Sequence, residues 1–231
     1  MNVLVILPVY NEAENIPQIV KKILSIDRGL KILIIDDNST DSSLQISVRL
    51  ARENPLQVFY LHRRGLRGRG LSTIEGYKFA VSRGFDYVIE MDADLSHNPE
   101  YIPQFLKEIK RADIVIGSRY VKGGAIKGRS LYRNIISYLA NIYLRYLLGL
   151  RDIKDFTSGY RCIRTDFLRK VDLDSLRSRG PELLQELLFK NKSHLNIKEI
   201  PIVFEERRYG RSKFSLFTIM RSLIAPISWK K

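Results

Sequence analysis

Apolar runs alternate with amphipathic segments through the first half of the chain. Short, largely apolar runs are typical of strands covered on both faces, and the segments between them have apolar residues at helical spacing. We therefore predict an α/β fold with a mostly parallel central sheet flanked by helices. The predicted strands cover residues 3–7, 31–35, 56–61, 87–91, 114–116 and about 197–204.

Residues at the segment ends set the predicted helix limits. Residues 72–75 (Ser-Thr-Ile-Glu) have the sequence of a capping box, so one helix is predicted from Ser72 to Arg83. Asn98 followed by Pro99 predicts another helix start, because asparagine caps helices and proline is tolerated in the first turn. The remaining predicted helices cover residues 12–24, 41–52 and 134–150.

The charge of the chain indicates an anionic partner. Its 231 residues contain 39 Lys and Arg against 25 Asp and Glu, which gives a net charge of +14, and 45% of them are hydrophobic. This composition predicts one folded domain and excludes intrinsic disorder. A single cysteine, Cys162, excludes an internal disulfide framework and zinc sites made of several cysteines.

The second half of the chain combines basic and apolar character. Residues 114–151 contain no acidic side chain, and the apolar segments 134–150 and 214–229 each contain a single arginine. Neither segment reaches the roughly 20 apolar residues that a membrane-spanning helix needs, so we expect no such helix. Both suit helices that lie in a membrane interface beside basic residues. For 134–150, a buried packing helix is an equally good interpretation.

Acidic residues follow several predicted strands, at the edge where parallel sheets bind ligands. Asp92 and Asp94 leave the strand 87–91 close together, and neighbouring like charges favour a bound cation. Mg²⁺ and Mn²⁺ prefer oxygen ligands, which they share with substrate phosphates. Asp36 and Asp37 follow an earlier strand, where an acid either caps the next helix or binds a base or ribose.

Two common nucleotide-binding motifs are missing from the sequence. The turn after the first predicted strand lacks G-x-G-x-x-G, and the chain has no G-x-x-x-x-G-K-[ST]. These absences argue against a nicotinamide dinucleotide enzyme and against a P-loop nucleotidase.

The strand-end motifs resemble those of the inverting family 2 glycosyltransferases. They are Pro8-Val9-Tyr10-Asn11-Glu12, Asp36-Asp37-Asn38-Ser39-Thr40-Asp41 and Asp92-Ala93-Asp94-Leu95. Later segments resemble the dolichyl-phosphate (polyprenyl-phosphate) mannosyltransferase group of that family. They are Gly117-Ser118-Arg119-Tyr120, residues 157–161 (Thr-Ser-Gly-Tyr-Arg) and residues 207–213 (Arg-x-x-Gly-x-Ser-Lys).

The resemblance covers about residues 2–223 and implies a GT-A fold. It implies a single domain over 1–231, with a nucleotide-sugar-binding half at about 1–118 and an acceptor- and membrane-facing half at about 119–231.

The resemblance implies a donor site for a nucleotide sugar, with GDP-mannose the first expectation and UDP-glucose the second. The matched positions are Pro8, Tyr10 and Glu12 for the base and ribose, Asp37 for the base, Asp92 and Asp94 for the metal and diphosphate, Ala93 between them for the donor, and Arg207 and Lys213 for the phosphates. The implied metal is Mg²⁺ or Mn²⁺. Ser96 stands where the group usually has glutamine and is a poorer metal ligand.

The resemblance also implies a polyprenyl or dolichyl phosphate acceptor, whose phosphate would meet Arg119 and Arg133. A monophosphate is largely a dianion at neutral pH, so its attack on the sugar needs no strong general base. The expected catalytic residues are Asp92, Asp94, Arg119 and Arg207. The three histidines are expected at the surface or as caps, and they are His62, His97 and His194.

Two alternative functions remain open at this stage. A family 2 enzyme with another donor and a glycan, glycolipid or protein acceptor would need a general base, for which Asp155 and Glu186 are candidates. A nucleic-acid-binding protein would explain the basic charge and the arginines of residues 63–69, but not the acidic strand ends. We expect a peripheral protein at the cytoplasmic face of a membrane, with no nucleic-acid partner.

Overall fold

The computed structural model describes residues 1–206, 223–226 and 229. The strands are β1 (Val3–Val9), β2 (Lys31–Asp36), β3 (Val58–His62), β4 (Tyr87–Glu90), β5 (Ile114–Ser118), β6 (Ala125–Lys127), β7 (Arg161–Arg164), β8 (Ile197–Pro201) and β9 (Val203–Glu205). The α-helices are α1 (Ile16–Ile26), α2 (Ser43–Glu53), α3 (Arg69–Ser82), α4 (Ile102–Glu108), α5 (Leu131–Leu148), α6 (Thr165–Leu168) and α7 (Leu183–Asn191).

The main sheet is parallel except at one strand, which confirms the predicted α/β fold. Its strand order is β3-β2-β1-β4-β7-β5-β8, and β7 runs antiparallel to both of its neighbours. Side chains alternate across a strand, so strands that are apolar at every position need cover on both faces. In β1, Val5 and Leu7 join one apolar cluster, whereas Leu4 and Ile6 join the other.

The second half of the chain departs most from the predicted elements. The strand predicted at 197–204 divides at Ile202 into β8, in the main sheet, and β9, which pairs with β6. The strands β6 and β7 and the helix α7 have no counterpart in the sequence prediction. Helix α1 begins at Ile16 rather than at residue 12.

The predicted capping box at Ser72 is wrong, because α3 already begins at Arg69. The first turn of α3 packs tightly against the backbone of residues 178–180. The Gly70 N–H donates to the carbonyl oxygen of Arg179 at 2.8 Å, and a Cβ atom at Gly70 would lie 2.5 Å from the carbonyl oxygen of Ser178. This contact fixes the start of the helix before Ser72.

Glu90, the last residue of β4, is a buried carboxylate surrounded by donors. It accepts hydrogen bonds from Arg161 Nε at 2.6 Å, the Tyr77 hydroxyl at 2.9 Å and the Thr73 hydroxyl at 3.1 Å. Burial raises the pKa of Glu90, but the cations of Arg161 and Arg69 outweigh this effect and hold the pKa below its ordinary value. The buried pair therefore joins β4 to β7 and α3.

Helix α5 presents an apolar face at the surface. One side of the helix packs into the protein through Ala140, Asn141, Leu144 and Leu148. The exposed residues are Leu131, Tyr132, Ile135, Tyr138, Leu139, Tyr143 and Tyr146. Among the described residues, the structure contains no helix with the length and apolar character required to span a membrane.

Glu90→Gln is expected to lower the free energy of unfolding by about 3–5 kcal/mol, because it leaves the buried Arg161 without its counter-ion. Urea unfolding measures this change. Glu75→Gln is the matched control, since the Glu75 side chain on α3 is 43% exposed, and it should change stability by less than about 0.5 kcal/mol. Equal stability of the two variants would contradict the role given to Glu90.

Candidate active site

The carboxyl ends of β1, β2 and β4 surround a cavity of about 620 Å³. This is the position where open parallel sheets bind their ligands. The structure brings the predicted donor residues of the first three motifs together here. The lining residues are Pro8, Val9, Tyr10, Glu12, Asp37, Arg67, Gly68, Arg69, Ser72, Asp92, Ala93, Asp94 and Pro181. We call this space the first cavity.

Hydrogen bonds between neighbouring loops fix the first two motifs relative to each other. Asn11 and Asn38 both adopt the left-handed backbone conformation, with φ of 55° and 61°, which asparagine tolerates better than most residues. The Asn11 N–H donates to Ser39 Oγ at 3.0 Å, and the Thr40 N–H donates to Asn11 Oδ1 at 2.8 Å. Tyr10 is thereby held at a set position beside Asp37.

A loop rich in arginine, residues 63–69, contacts the predicted donor residues. The Asp37 carboxylate pairs with Arg63 and accepts the Gly68 N–H at 2.7 Å. The Arg67 guanidinium lies 4.3 Å from the centre of the Tyr10 ring. Their contacts with the predicted donor residues could not be predicted from the sequence, in which these arginines indicate only positive charge.

The carboxylates of the third motif lie beneath this loop. Asp92 Oδ1 lies 2.8 Å from Arg69 Nη2, and Asp94 accepts hydrogen bonds from the Ser96 N–H at 3.1 Å and the Ser96 hydroxyl at 2.5 Å. Leu95, between them, has a φ of 66°, which is strained for a residue with this side chain. Ser96 therefore orients Asp94 in this structure.

His97 is buried beneath the Asp92 loop, so its expected surface position is wrong. Its Nδ1 accepts the Asp92 N–H at 2.9 Å, and its ring stacks on Tyr160 with centres 5.0 Å apart. Burial lowers the pKa of His97 despite the carboxylates of Asp92 and Asp94. The only signal in the sequence was its position just after the third motif. His62 is partly exposed near Asp36, and the side chain of His194 lies outside the described groups.

A second cavity, of about 170 Å³, adjoins the first. One part of its wall is basic and another is apolar. The basic side chains are Arg69, Arg119, Arg129 and Arg133, and the apolar ones include Ile136, Ala140, Leu144, Phe204 and Leu223. Both cavities are lined by Arg69, Asp92, Asp94 and Pro181, so they meet at the third motif.

Arg119 is held rigidly in the wall of the second cavity. Its Nε and Nη2 lie 2.8 and 2.7 Å from the two carboxylate oxygens of Asp155, and Nη2 also donates to Thr157 Oγ1 at 2.6 Å. Burial raises the pKa of Asp155, but Arg119 outweighs this effect and lowers the pKa below its ordinary value. Asp155 is therefore a counter-ion for Arg119, and not a free base.

The predicted Arg133 and its neighbour Arg129 differ in their surroundings. Arg133 pairs with Glu206, whereas burial and the nearby charges of Arg119 and Arg133 lower the pKa of Arg129. Glu186, a weaker candidate base, is buried and accepts the N–H groups of Arg177 and Ser178. The two remaining predicted donor cations, Arg207 and Lys213, lie outside the described residues.

Comparison with known proteins identifies the class to which this fold and site belong. Residues 4–172 match the family described as Glycosyl transferase family 2. The chain belongs to this family, and its α/β fold with a mostly parallel sheet agrees with that of its structural neighbours. The glucosyl-3-phosphoglycerate synthase of Mycobacterium tuberculosis, solved with Mn²⁺ and UDP, has a TM-score of 0.75 at 17% identity, over 99% of this chain and 79% of that one.

Curated relatives are more similar in sequence. The undecaprenyl-phosphate mannosyltransferase of Micrococcus luteus is 37% identical, over 99% of this chain and 94% of that protein. The polyprenol monophosphomannose synthase of Mycolicibacterium smegmatis is 37% identical, over 98% and 86%. The dolichol-phosphate mannosyltransferase of Pyrococcus furiosus is 35% identical, over 100% of this chain but 65% of that protein.

Asp155→Asn is expected to lower the free energy of unfolding at neutral pH, and this decrease should be smaller in acid. A carboxylate whose pKa is lowered on folding stabilises the protein above its unfolded pKa, about 3.9, and loses that contribution as the pH falls through the folded pKa. Urea unfolding from pH 7 to pH 3 should show the difference from wild type shrinking below about pH 4. The control is the exposed Asp152→Asn. A difference that grows in acid would contradict the Arg119–Asp155 pairing.

Proposed function

We propose that this chain transfers mannose from a nucleotide sugar, with GDP-mannose the first candidate, to a polyprenyl phosphate with inversion at the sugar. The observation that carries the proposal is the meeting of the two cavities at Asp92 and Asp94. The first cavity carries four carboxylates beside two arginines, and the second combines four arginines and apolar side chains with the shared Asp92 and Asp94. The names of the curated relatives support the same acceptor class and the same sugar.

The first cavity suits the nucleotide. Its far end carries Tyr10, whose ring offers a stacking surface, and Asp37, whose carboxylate accepts hydrogen bonds. Its near end carries the third motif, where the diphosphate would lie. In this proposal residues up to about 118 bind the donor and the remainder forms most of the acceptor side.

A divalent cation fits the junction of the cavities. Asp92 and Asp94 supply two carboxylates, and the described residues contain no group of three or more His, Cys, Asp or Glu side chains arranged for a metal. Mg²⁺ and Mn²⁺ commonly complete such a pair with substrate phosphates and water. When bound, the cation would neutralise charge on the departing diphosphate.

The second cavity suits the phosphate and the first part of a prenyl chain. Arg119 and Arg133 would bind the phosphate, because guanidinium groups match phosphate oxygens in pairs. A phosphate oxygen of this dianion would form a bond to the anomeric carbon while the bond from that carbon to the donor β-phosphate breaks. The bonding electrons would leave with the nucleoside diphosphate. Because the nucleophile is already ionised, the engagement of Asp155 by Arg119 is no obstacle.

The exposed face of α5 supports peripheral attachment to a membrane. The helix contributes Ile136, Ala140 and Leu144 to the second cavity, and its exposed tyrosines and leucines lie on the outer side of the same helix. Tyrosine favours the boundary between lipid and water. A prenyl chain could thus leave the cavity toward lipid along this helix. Nucleotide sugars are available in the cytoplasm, so the proposal includes the cytoplasmic face.

A second candidate differs in its donor. Among the described residues, the wall of the first cavity contains no feature that selects guanine over uracil. The solved relative of the same fold was crystallised with UDP and Mn²⁺. Transfer from UDP-glucose is therefore the alternative to test. Family membership favours a transferase over the nucleic-acid-binding alternative.

Labelled sugar from GDP-mannose is expected to enter the organic phase when the protein is mixed with polyprenyl phosphate and Mg²⁺ or Mn²⁺, and EDTA should reduce this transfer. Asp94→Asn should lower the rate by at least about 100-fold, since it weakens stabilisation of the leaving diphosphate. Asp174→Asn is the control, because the Asp174 side chain is 83% exposed. Labelled lipid formed from UDP-glucose but not from GDP-mannose would identify UDP-glucose as the donor. Donor hydrolysis without labelled lipid would refute the acceptor.

Leu139→Glu on α5 is expected to weaken binding to vesicles that contain phosphatidylglycerol by at least about tenfold, because burying one leucine side chain in lipid is worth ~1.5–3 kcal/mol. Vesicle sedimentation measures the bound fraction. Leu56→Glu is the control, since Leu56 is 79% exposed away from α5. If both variants bind as the wild type does, α5 is not the membrane contact.

A further inference from the structure

We propose that Arg69 is a donor-binding residue that holds the β-phosphate of the nucleotide sugar at the junction of the two cavities, as a cation built into the chain. This inference rests on the proposed function, because it assumes that a nucleoside diphosphate occupies the first cavity. It adds a residue that the sequence motifs do not include.

Arg69 lies at the junction of the two cavities. Arg69 is the only cation that lines both cavities among the described residues, and it shares the junction with Asp92, Asp94 and Pro181. A phosphate that links a nucleotide in one cavity to a sugar facing the other has to pass this point. Arg69 Nη2 is also 2.8 Å from Asp92 Oδ1, so the guanidinium lies beside the carboxylates expected to meet the diphosphate.

Two donor atoms of the Arg69 guanidinium lack a hydrogen bond to the described residues. Its Nε and Nη2 are buried, and neither makes a hydrogen bond of normal geometry with the described residues. Nη2 forms ion pairs with the carboxylates of Glu90 and Asp92, but neither contact has the geometry of a hydrogen bond. Buried donors are rarely left without an acceptor in folded proteins. Phosphate oxygens are the acceptors that guanidinium groups match best.

The main counter-ion of Glu90 is Arg161 and not Arg69. The Glu90 carboxylate already accepts hydrogen bonds from Arg161, Tyr77 and Thr73, and Arg161 lies closer, at 2.6 Å against 3.2 Å for Arg69. The Arg161 side chain is 2% exposed, whereas that of Arg69 is 29% exposed. Arg161 is therefore the structural partner of Glu90, and Arg69 is the more exposed arginine of the two and the one that lines both cavities.

Gly159 holds the guanidinium in place. A Cβ atom at this position would lie 2.5 Å from Arg69 Nη2 and 2.9 Å from Nη1. The guanidinium therefore packs directly against the backbone of the segment 157–161, and a side chain here would push it away. Because the obstructed atoms are the end of a flexible side chain, Gly159→Ala moves Arg69 without removing its charge.

The test compares binding of GDP and GMP by calorimetry, in EDTA and in Mn²⁺, with UDP and UMP as the second pair of probes. Arg69→Met should weaken GDP binding in EDTA by about tenfold or more, which is the loss expected for a hydrogen bond to a charged group. GMP binding should change by less than about twofold, because GMP lacks the β-phosphate. Arg69→Lys keeps the charge but lacks the paired N–H donors of the guanidinium. Its affinity for GDP should therefore lie between those of Arg69→Met and the wild type.

Two further variants control the interpretation. Arg64→Met removes the same charge from an exposed position of the same loop and should bind GDP as the wild type does. Gly159→Ala should weaken GDP binding while GMP binding and the melting temperature stay close to wild type. Equal loss of GDP and GMP binding in the Arg69 and Gly159 variants would overturn the inference, because it would indicate a damaged pocket.

Two outcomes separate the inference from the proposed function. If the wild type binds GDP or UDP but Arg69→Met and Arg69→Lys bind it equally well, the inference is overturned and the proposed function stands. If the wild type binds neither diphosphate, even with Mn²⁺, the proposed function fails and the inference fails with it.

Discussion

The buried ion pair between Glu90 and Arg161 is the interaction on which the site depends. Glu90 ends the strand that leads into Asp92 and Asp94, and Arg161 begins β7, the antiparallel strand beside it. A buried carboxylate is stable only when its charge is neutralised and its oxygens are hydrogen-bonded. The pair meets this need and ties β4, β7 and α3 together at the edge where both cavities meet. Removing either partner would destabilise the sheet and the loop that carries Asp92 and Asp94.

The electrostatics of the site follow from the same arrangement. The chain carries a net charge of +14, yet four carboxylates line the first cavity beside two arginines, and Asp92 and Asp94 also line the second cavity with its arginines and apolar side chains. A nucleotide sugar and a lipid phosphate both bring negative charge, and they have to approach each other closely. Buried counter-ions such as Asp155 keep the arginines oriented, and the loop of residues 63–69 brings cations to the acidic side. The two cavities meet at Asp92 and Asp94, which is where the proposed function would bring these two anions together.

Much of the fold and part of the site could be predicted from the sequence. The strands β1, β2 and β4 were recognisable because their apolar runs are local and are followed by acids. The strand β7 was not, because it contains Arg161, which is buried only through a partner 71 positions away in sequence. His97 and Arg69 were missed for the same reason, since their contacts come from the tertiary fold. The motifs of the resemblance supplied the predicted donor residues, which no single position could indicate.

A crystal structure with GDP, Mn²⁺ and a short prenyl phosphate would test the central claim most directly. The account predicts guanine beside Tyr10 and Asp37, the β-phosphate at Asp92 and Asp94, and the prenyl phosphate among Arg119 and Arg133 with its chain toward α5. The two phosphates would then face each other across the space for one sugar. A nucleotide bound among those arginines, or a prenyl phosphate bound away from the second cavity, would contradict the account.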